Sequence, residues 1–356
     1  MPSGWVAVAH DRANAYTGGV QDLYGHLISY LRVSITDRCN ERCLYCMPQE
    51  LQEWLPRREI LSYEEIVRLV RVATSLGVTK LRITGGEPLT RNGVLGFFQR
   101  LQEVEGICDL GVSTNGSLLS RLVPETGGQT MAACLRSSGV RTINVSLDTL
   151  DRAEYARVTG RDFLPQTLAG LVAAKAAGFC PHEIKLNSVL MRGRGEDQLV
   201  PLVEFAGREG HLLRFIELMP VSTTDVLTEE NFFPIATARR RIEEHFGGLI
   251  PAPHFRTNGP ATYYQLPDSD QIIGFIGAMT NLHFCESCNK LRLTCEGKLR
   301  PCLGSHLEFD LREPLRAGAT DEELRQIFLD VVARKPRQHD FRENYRPDRK
   351  MVAIGG

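Results

Sequence analysis

Residues 31–46 run Leu31-Arg32-Val33-Ser34-Ile35-Thr36-Asp37-Arg38-Cys39-Asn40-Glu41-Arg42-Cys43-Leu44-Tyr45-Cys46. The first five alternate apolar with polar and read as a strand. The rest is a polar loop that sets three cysteines at Cys-x3-Cys-x2-Cys spacing just past the strand. Three thiolates on one loop can hold three irons of a [4Fe–4S] cluster and leave the fourth open to a small molecule. Structural zinc is the competing reading, but it takes four protein ligands, and no fourth cysteine or histidine stands close by in the sequence.

Outward from this stretch a strand–helix rhythm sets in. Ser62 opens a helix, with Glu65 three residues on to complete a capping box and Gly77 to stop it. Further strands are expected at 78–83, around 111–113, and at 142–147, 184–189 and 212–218. Helical segments such as 164–177 and 196–208 lie between them. Strands separated by helices pair in parallel through right-handed crossovers, which leaves an open doubly wound sheet and a partial barrel as alternatives. Face parity favours the barrel. In Lys80-Leu81-Arg82-Ile83-Thr84 the polar residues share one face, as do Arg32, Ser34 and Thr36 on the first strand and Lys185 and Asn187 on the fifth. A helix-covered parallel strand is normally apolar on both faces, so these point to a shared lumen that holds something anionic. Arg and Lys stems snorkelling along the surface are the alternative. Arg214 departs from the pattern, sharing parity with Ile216 rather than with Glu217 and Met219.

At 356 residues, 42% apolar and 24% charged, the chain is an ordinary globular protein of one large domain or two. Its 42 Lys and Arg against 43 Asp and Glu leave a net charge of -1. No global field is available for nucleic acid or a membrane surface, and an anion must be held by local basic clusters. No apolar run reaches the roughly 18–20 residues of a spanning helix. Residues 5–9 are followed by Asp11 and Arg12, which is no secretory pattern, so a cytoplasmic protein is expected. Ten cysteines in a reducing compartment point to metal rather than disulfides. They fall into two groups, Cys39, Cys43, Cys46 and Cys285, Cys288, Cys295, Cys302, while Cys108, Cys134 and Cys180 read as buried apolar residues.

Residues 1–25 read as a loose extension, 26–220 as the barrel and 221–356 as a second domain, in which the rhythm stops. That second part offers a charged helix at 235–246, short strands at 262–266 and 272–276, and a last helix at 321–332. The segment 334–350 carries seven basic and three acidic residues and reads as a solvated face. The stretch 124–131 is longer than its connection needs.

Gly85-Gly86-Glu87-Pro88 follows the second strand. Thr114-Asn115-Gly116, Ser146-Leu147-Asp148 and Glu217-Leu218-Met219 follow the third, fourth and sixth. Each alone could be an ordinary turn, but together they outline one mouth at the edge where parallel α/β folds bind ligands. Cys-x3-Cys-x-Tyr-Cys with Gly-Gly-Glu-Pro resembles the radical S-adenosylmethionine (SAM) superfamily. The strings 31–40, Arg214-Phe215-Ile216-Glu217-Leu218-Met219-Pro220-Val221 and Gly297-Lys298-Leu299-Arg300-Pro301-Cys302-Leu303, with the terminal Gly355-Gly356, resemble the GTP 3′,8-cyclase (MoaA) family of molybdenum-cofactor synthesis. The resemblance covers about residues 25 to 356.

Read alone, Cys285-x2-Cys288 suggests a zinc knuckle or a second open-iron cluster, with Cys295 and Cys302 both candidates for the third ligand. The resemblance implies the cluster, with Cys302 as third ligand and the substrate guanine against it. It implies an incomplete (β/α)6 TIM-like barrel closed on its open side by the C-terminal extension that carries this second [4Fe–4S] cluster. It also implies Tyr45, Gly86, Ser146 and Met219 around SAM; close approach of backbone to ligand would explain Gly86. Arg32, Arg82, Ser113, Lys185, Arg214, Lys290, Leu291 and Arg292 are implied around GTP, and Gly355-Gly356 threaded toward the site in support of catalysis. The family usually has Arg where Lys290 stands, so charge is kept without the bidentate fork; Ser113 stands where Thr is common. The implied reaction starts with a one-electron donor, such as a flavodoxin or ferredoxin, and SAM cleavage to a 5′-deoxyadenosyl radical. C3′ hydrogen abstraction from GTP and attack on C8 then give 3′,8-cyclo-7,8-dihydro-GTP, which passes to a cyclic pyranopterin monophosphate synthase. Another radical SAM enzyme with an auxiliary cluster, or a non-catalytic zinc or cluster module, are the alternatives. No motif encodes the oligomeric state, a homodimer included.

Overall fold

In a computed structural model, residues 19–48, 53–224, 226–343 and 345–355 are described. Residues 1–18 of the expected extension lie outside them. Residues 19–28 lie against the body through Val20 N to Leu76 O (3.2 Å) and Ile28 N to Val20 O (2.9 Å).

Six strands form the expected parallel array: β1 (Tyr30–Ser34), β2 (Lys80–Thr84), β3 (Asp109–Thr114), β4 (Thr142–Ser146), β5 (Ile184–Leu190) and β6 (Leu212–Glu217). They pair in chain order, each in parallel with the next. Crossover helices such as α1 (Tyr63–Ser75) bury their apolar stripe on the outside of the sheet. The capping box at the start of α1 is present: Ser62 Oγ accepts from Glu65 N (3.1 Å), and Ser62 N donates to Glu65 Oε2 (2.6 Å). Residues 124–131 fold back as a small hairpin, Leu122–Val123 against Gln129–Thr130.

The C-terminal part does more than cap this array. It adds β7 (Ile250–Pro251), β8 (Thr262–Gln265), β9 (Ile272–Ile276), β10 (Lys290–Leu293), β11 (Lys298–Arg300) and β12 (Phe309–Asp310) to the same sheet. Its order is β12-β11-β10-β1-β2-β3-β4-β5-β6-β9-β8-β7. Both β9 beside β6 and β10 beside β1 run parallel to their neighbours, so the extension lengthens the barrel wall at each open edge. At the bottom, Lys80 Nζ donates to Asn258 Oδ1 (2.6 Å), and Asn258 Nδ2 bonds Asp109. The loop before β8 thereby plugs the amino ends of β2 and β3.

Two expectations about polarity fail. Cys134 is buried, but Cys108 and Cys180 are exposed, because each sits in the turn that leads into a strand at the barrel's bottom. The charge-rich 334–350 segment is not simply a solvated face. Lys335 and His339 are buried, Arg342 Nε donates to Met279 O (2.8 Å), and Arg349 pairs with Glu296 and Glu308. Its charges fasten the segment to the body. Among the described residues no helix is long and apolar enough to cross a membrane.

Candidate active site

Inward-facing residues of the strands line one cavity: Tyr30 and Arg32 from β1, Arg82 from β2, Asn144 from β4, Lys185 and Asn187 from β5, and Arg214 from β6. Lys290 and Arg292 join them from β10. The parity of Arg214 with Ile216 is the inward parity of β6, since both line the cavity. Glu217 and Met219 lie where the chain leaves the strand.

These cations are not equivalent. Arg82 Nε donates to Tyr30 Oη (3.2 Å), Nη1 to Val112 O (3.2 Å) and Thr142 O (3.1 Å), and Nη2 to Thr142 Oγ1 (2.8 Å). Four of its five N–H groups are thus committed to the barrel. Gly111 makes the room: a Cβ there would overlap the guanidinium. Arg214 Nε donates to Asn187 Oδ1 (2.9 Å). Burial, then the charges of Arg214 and Arg82, bring the Lys185 ammonium down to about 7. Burial raises the Tyr30 phenol, but Arg82 and Arg32 outweigh it and bring it to about 8. A lumen this crowded with cations favours an anion strongly. Ser113 stands on the lumen side of β3 beside Asn144, whose Nδ2 is 3.5 Å from its Oγ. The Leu291 side chain is not brought to the cavity. It alternates outward from Lys290 and Arg292 and is buried in the core behind the sheet.

At the mouth, the cysteine loop is tied down from several directions. Asn115 Nδ2 donates to Asn40 Oδ1 (2.8 Å), Tyr155 Oη to Glu41 Oε1 (2.7 Å) and Tyr45 Oη to Asp148 Oδ2 (2.7 Å). Val189 N donates to Asp148 Oδ1 (2.7 Å), while burial lifts that carboxyl to about 6. Gly86 N donates to Thr36 O and Glu87 N to Arg38 O, both 2.8 Å. A Cβ on Gly85 would come 2.5 Å from Thr36 O, and one on Gly86 would overlap Arg38 O. The two glycines therefore answer first to loop–loop contact, a reason for Gly86 beside the ligand approach that the resemblance implies. Glu87 is buried and accepts from Leu89 N (3.0 Å), Thr114 Oγ1 (2.9 Å) and Asn115 N (2.8 Å). Ser146 ends β4 exposed, and Met219 lines the cavity.

Cys39, Cys43 and Cys46 act on one another electrostatically, and burial pushes the Cys39 thiol up. Cys285, Cys288 and Cys302 line the cavity together. Cys295 is fully buried behind it, its carbonyl accepting from Leu61 N (2.8 Å). Among the described residues no trio of Cys, His, Asp or Glu is drawn in around a position for a single metal ion. The fit to [4Fe–4S] groups lies in the donor set: three thiols per site, each set confined to one region.

The tail enters this space. Met351 N donates to Cys46 O (3.2 Å), as does Ser222 Oγ (2.5 Å), and Met351 Sδ lies 3.8 Å from Cys46 Sγ. Arg292 Nη1 donates to Gly355 O (2.9 Å). Gly355 has φ +85°, and a Cβ there would sit 2.6 Å from Thr84 Cγ2, so only glycine fits. Gly356 lies outside the described residues. Face parity already pointed to Asn187; Tyr30 and Asn144 share that inward parity without having been singled out, and Met351 carries no local signal.

A GTP 3′,8-cyclase of Thermodesulfovibrio yellowstonii is 41% identical over 338 residues, 95% of this chain and 100% of its own. The chain belongs to the GTP 3′,8-cyclase family. Another member, from Paracoccus denitrificans, is 46% identical over 325 residues, 90% of this chain and 89% of its own. The Radical SAM superfamily matches residues 33–206 and the family Molybdenum Cofactor Synthesis C residues 211–341. Among solved structures, Streptococcus suis SuiB has a TM-score of 0.59 at 15% identity, covering 90% of this chain and 69% of its own. Its complex with precursor peptide SuiA gives 0.58 at 17%, covering 91% and 68%. That likeness is one of fold.

Proposed function

We propose that this chain converts GTP to 3′,8-cyclo-7,8-dihydro-GTP, the first step of molybdenum-cofactor synthesis. The observation that carries this is the basic lumen with Cys285, Cys288 and Cys302 in its wall and Met351 leading to Cys46. In this reading Cys39, Cys43 and Cys46 hold one [4Fe–4S] cluster and Cys285, Cys288 and Cys302 the other. When bound, the first cluster with SAM supplies a 5′-deoxyadenosyl radical.

The remaining work falls to the side chains. Arg32, Lys185, Arg214, Lys290 and Arg292 hold the triphosphate, which needs several cationic donors. Arg82 chiefly shapes and charges the wall, with one N–H left to offer. Ser113 offers a hydroxyl, and Leu291 can contribute only its main chain. Tyr45, Gly86, Ser146 and Met219 enclose SAM. Gly355, held by Arg292, couples the tail to the substrate cations, with Gly356 beyond it. Residues 26–220 then carry the radical machinery and 221–356 the substrate end. A flavodoxin or ferredoxin would supply electrons in the cytoplasm, and a cyclic pyranopterin monophosphate synthase would take the product.

The test is an anaerobic assay of iron-reconstituted protein with dithionite, SAM and GTP. Deoxyadenosine and a GTP-derived cyclised product are expected together. Deoxyadenosine without conversion of GTP would overturn the substrate, and neither product, from protein loaded with both clusters, would overturn the activity.

A further inference from the structure

Lys335 stands just beyond the helix Asp321–Ala333 in the charge-rich segment, and it is 4% exposed. A lysine is rarely buried so deeply unless its ammonium is fully engaged. Here Nζ meets three acceptors: Cys288 Sγ at 3.4 Å, Lys290 O at 3.1 Å and Pro301 O at 2.5 Å. An ammonium has three N–H donors, so the count is complete.

The identity of the acceptors gives the arrangement its meaning. Lys290 follows Cys288 by two residues, and Pro301 immediately precedes Cys302. One side chain therefore spans both segments that carry these cysteines, across the antiparallel pair β10 and β11. Lys335 is also the foremost charge acting on Cys288 and on Cys302. Lys290, the other lysine near Cys288, directs its Nζ to Asn289 Oδ1 (3.2 Å) and toward the Tyr30 ring.

We infer that Lys335 is a positioning residue of the second cysteine site, donating a hydrogen bond to the Cys288 sulfur while bracing the Cys288 and Cys302 segments together. This rests on the reading that Cys285, Cys288 and Cys302 hold a cluster. A hydrogen bond and a positive charge at a ligand sulfur stabilise the more negative, reduced state of such a group and raise its potential. Bracing slows the loss of its iron. Neither effect requires Lys335 to touch the substrate.

The test uses the full chain reconstituted anaerobically, with Lys335→Met to keep the stem and remove the donors, and Lys335→Arg to restore the charge. Wild type should hold about eight irons per chain. The readouts are an EPR-monitored redox titration and the rate of iron release to a chelator. Lys335→Met should move the second cluster's potential to a more negative value and release its iron about 10-fold faster. Lys335→Arg should recover most of the potential. Faster release with an unchanged potential would reduce Lys335 to a brace and overturn the sulfur bond. No change in either readout would overturn the inference altogether. A Lys335→Met chain that loads no second cluster, and whose potential Lys335→Arg does not bring back, would overturn it too. Wild type that binds about four irons would instead overturn the cluster site, and this inference with it.

Discussion

Lys185 shows how a single residue can report on the site. Its ammonium, brought to about 7 by burial and then by Arg214 and Arg82, is largely neutral in the free protein at pH 8. A triphosphate placed among these groups favours the charged form and restores the proton. The Tyr30 phenol, brought to about 8, is about half ionised at that pH and regains part of a proton in the same way. Nucleotide binding should therefore take up more protons at pH 8 than at pH 6, and affinity should fall as pH rises through 7. Calorimetry in buffers of different ionisation enthalpy reads the uptake, and Lys185→Met should lower it by close to one proton at pH 8. Gly111 is the complementary case. Its missing Cβ is the space that Arg82 occupies, so Gly111→Ala should cost about 1–3 kcal/mol in a denaturant melt, as overpacking does, and weaken nucleotide binding. The inward set of Arg32, Arg82 and Lys185 was legible because strand parity exposes it. The difference between Arg82, committed to the wall, and Lys185 was not, because it depends on partners from β3 and β4.

At the scale of elements, one buried carboxylate joins the two parts of the chain. Glu217, at the end of β6, accepts from Ile235 N (2.9 Å), Met279 N (2.9 Å), Thr280 N (3.1 Å) and Thr280 Oγ1 (2.5 Å). It thereby fixes both the start of the helix Ile235–Phe246 and the loop after β9 to the barrel. Glu217→Ala strands several buried donors, so a loss of about 3 kcal/mol or more is expected in equilibrium unfolding. Cys285 and Cys288 follow that loop in sequence, and the second site should be the part of the molecule that loosens first, seen as hydrogen exchange across 279–290. The helix starts and the six strands could be read from capping and alternation. The strand β10 could not, because Lys290-Leu291-Arg292-Leu293 is too short to declare itself and becomes a strand only by pairing with β1.

For the molecule as a whole, the decisive feature is the return of the chain end to the barrel mouth. Arg349 is held by Glu296 and Glu308, Met351 by Cys46 O and Gly355 by Arg292. The tail thus touches Cys46 at the mouth and Arg292 in the basic lumen at once. A chain ending at Ile354 should keep its fold, since few core contacts are lost, yet cyclise GTP at a small fraction of the full rate. Circular dichroism and the anaerobic assay check the two halves of that expectation, and cyclisation at the full rate would refute it. Gly355→Ala should behave similarly, because its φ of +85° and the 2.6 Å approach to Thr84 Cγ2 leave no space for a Cβ.

The local pieces could be read from the chain alone: the alternation that makes each strand, the Ser62 cap, the spacing of Cys39, Cys43 and Cys46, and the basic parity of the lumen. These follow from periodicity and spacing within a few residues, which chain chemistry sets directly. The choice of Cys302 over Cys295 rests on resemblance; the fold places Cys302 in the cavity wall and Cys295 in the core. Three features emerge from the folded chain: β9 and β10 extend the barrel at its two edges, Gly86 packs on the Arg38 carbonyl, and Lys335 is buried against Cys288. Each of these depends on what a residue meets after the chain has closed on itself. A lysine at the surface and a lysine among three acceptors are the same letter until the fold supplies the neighbours.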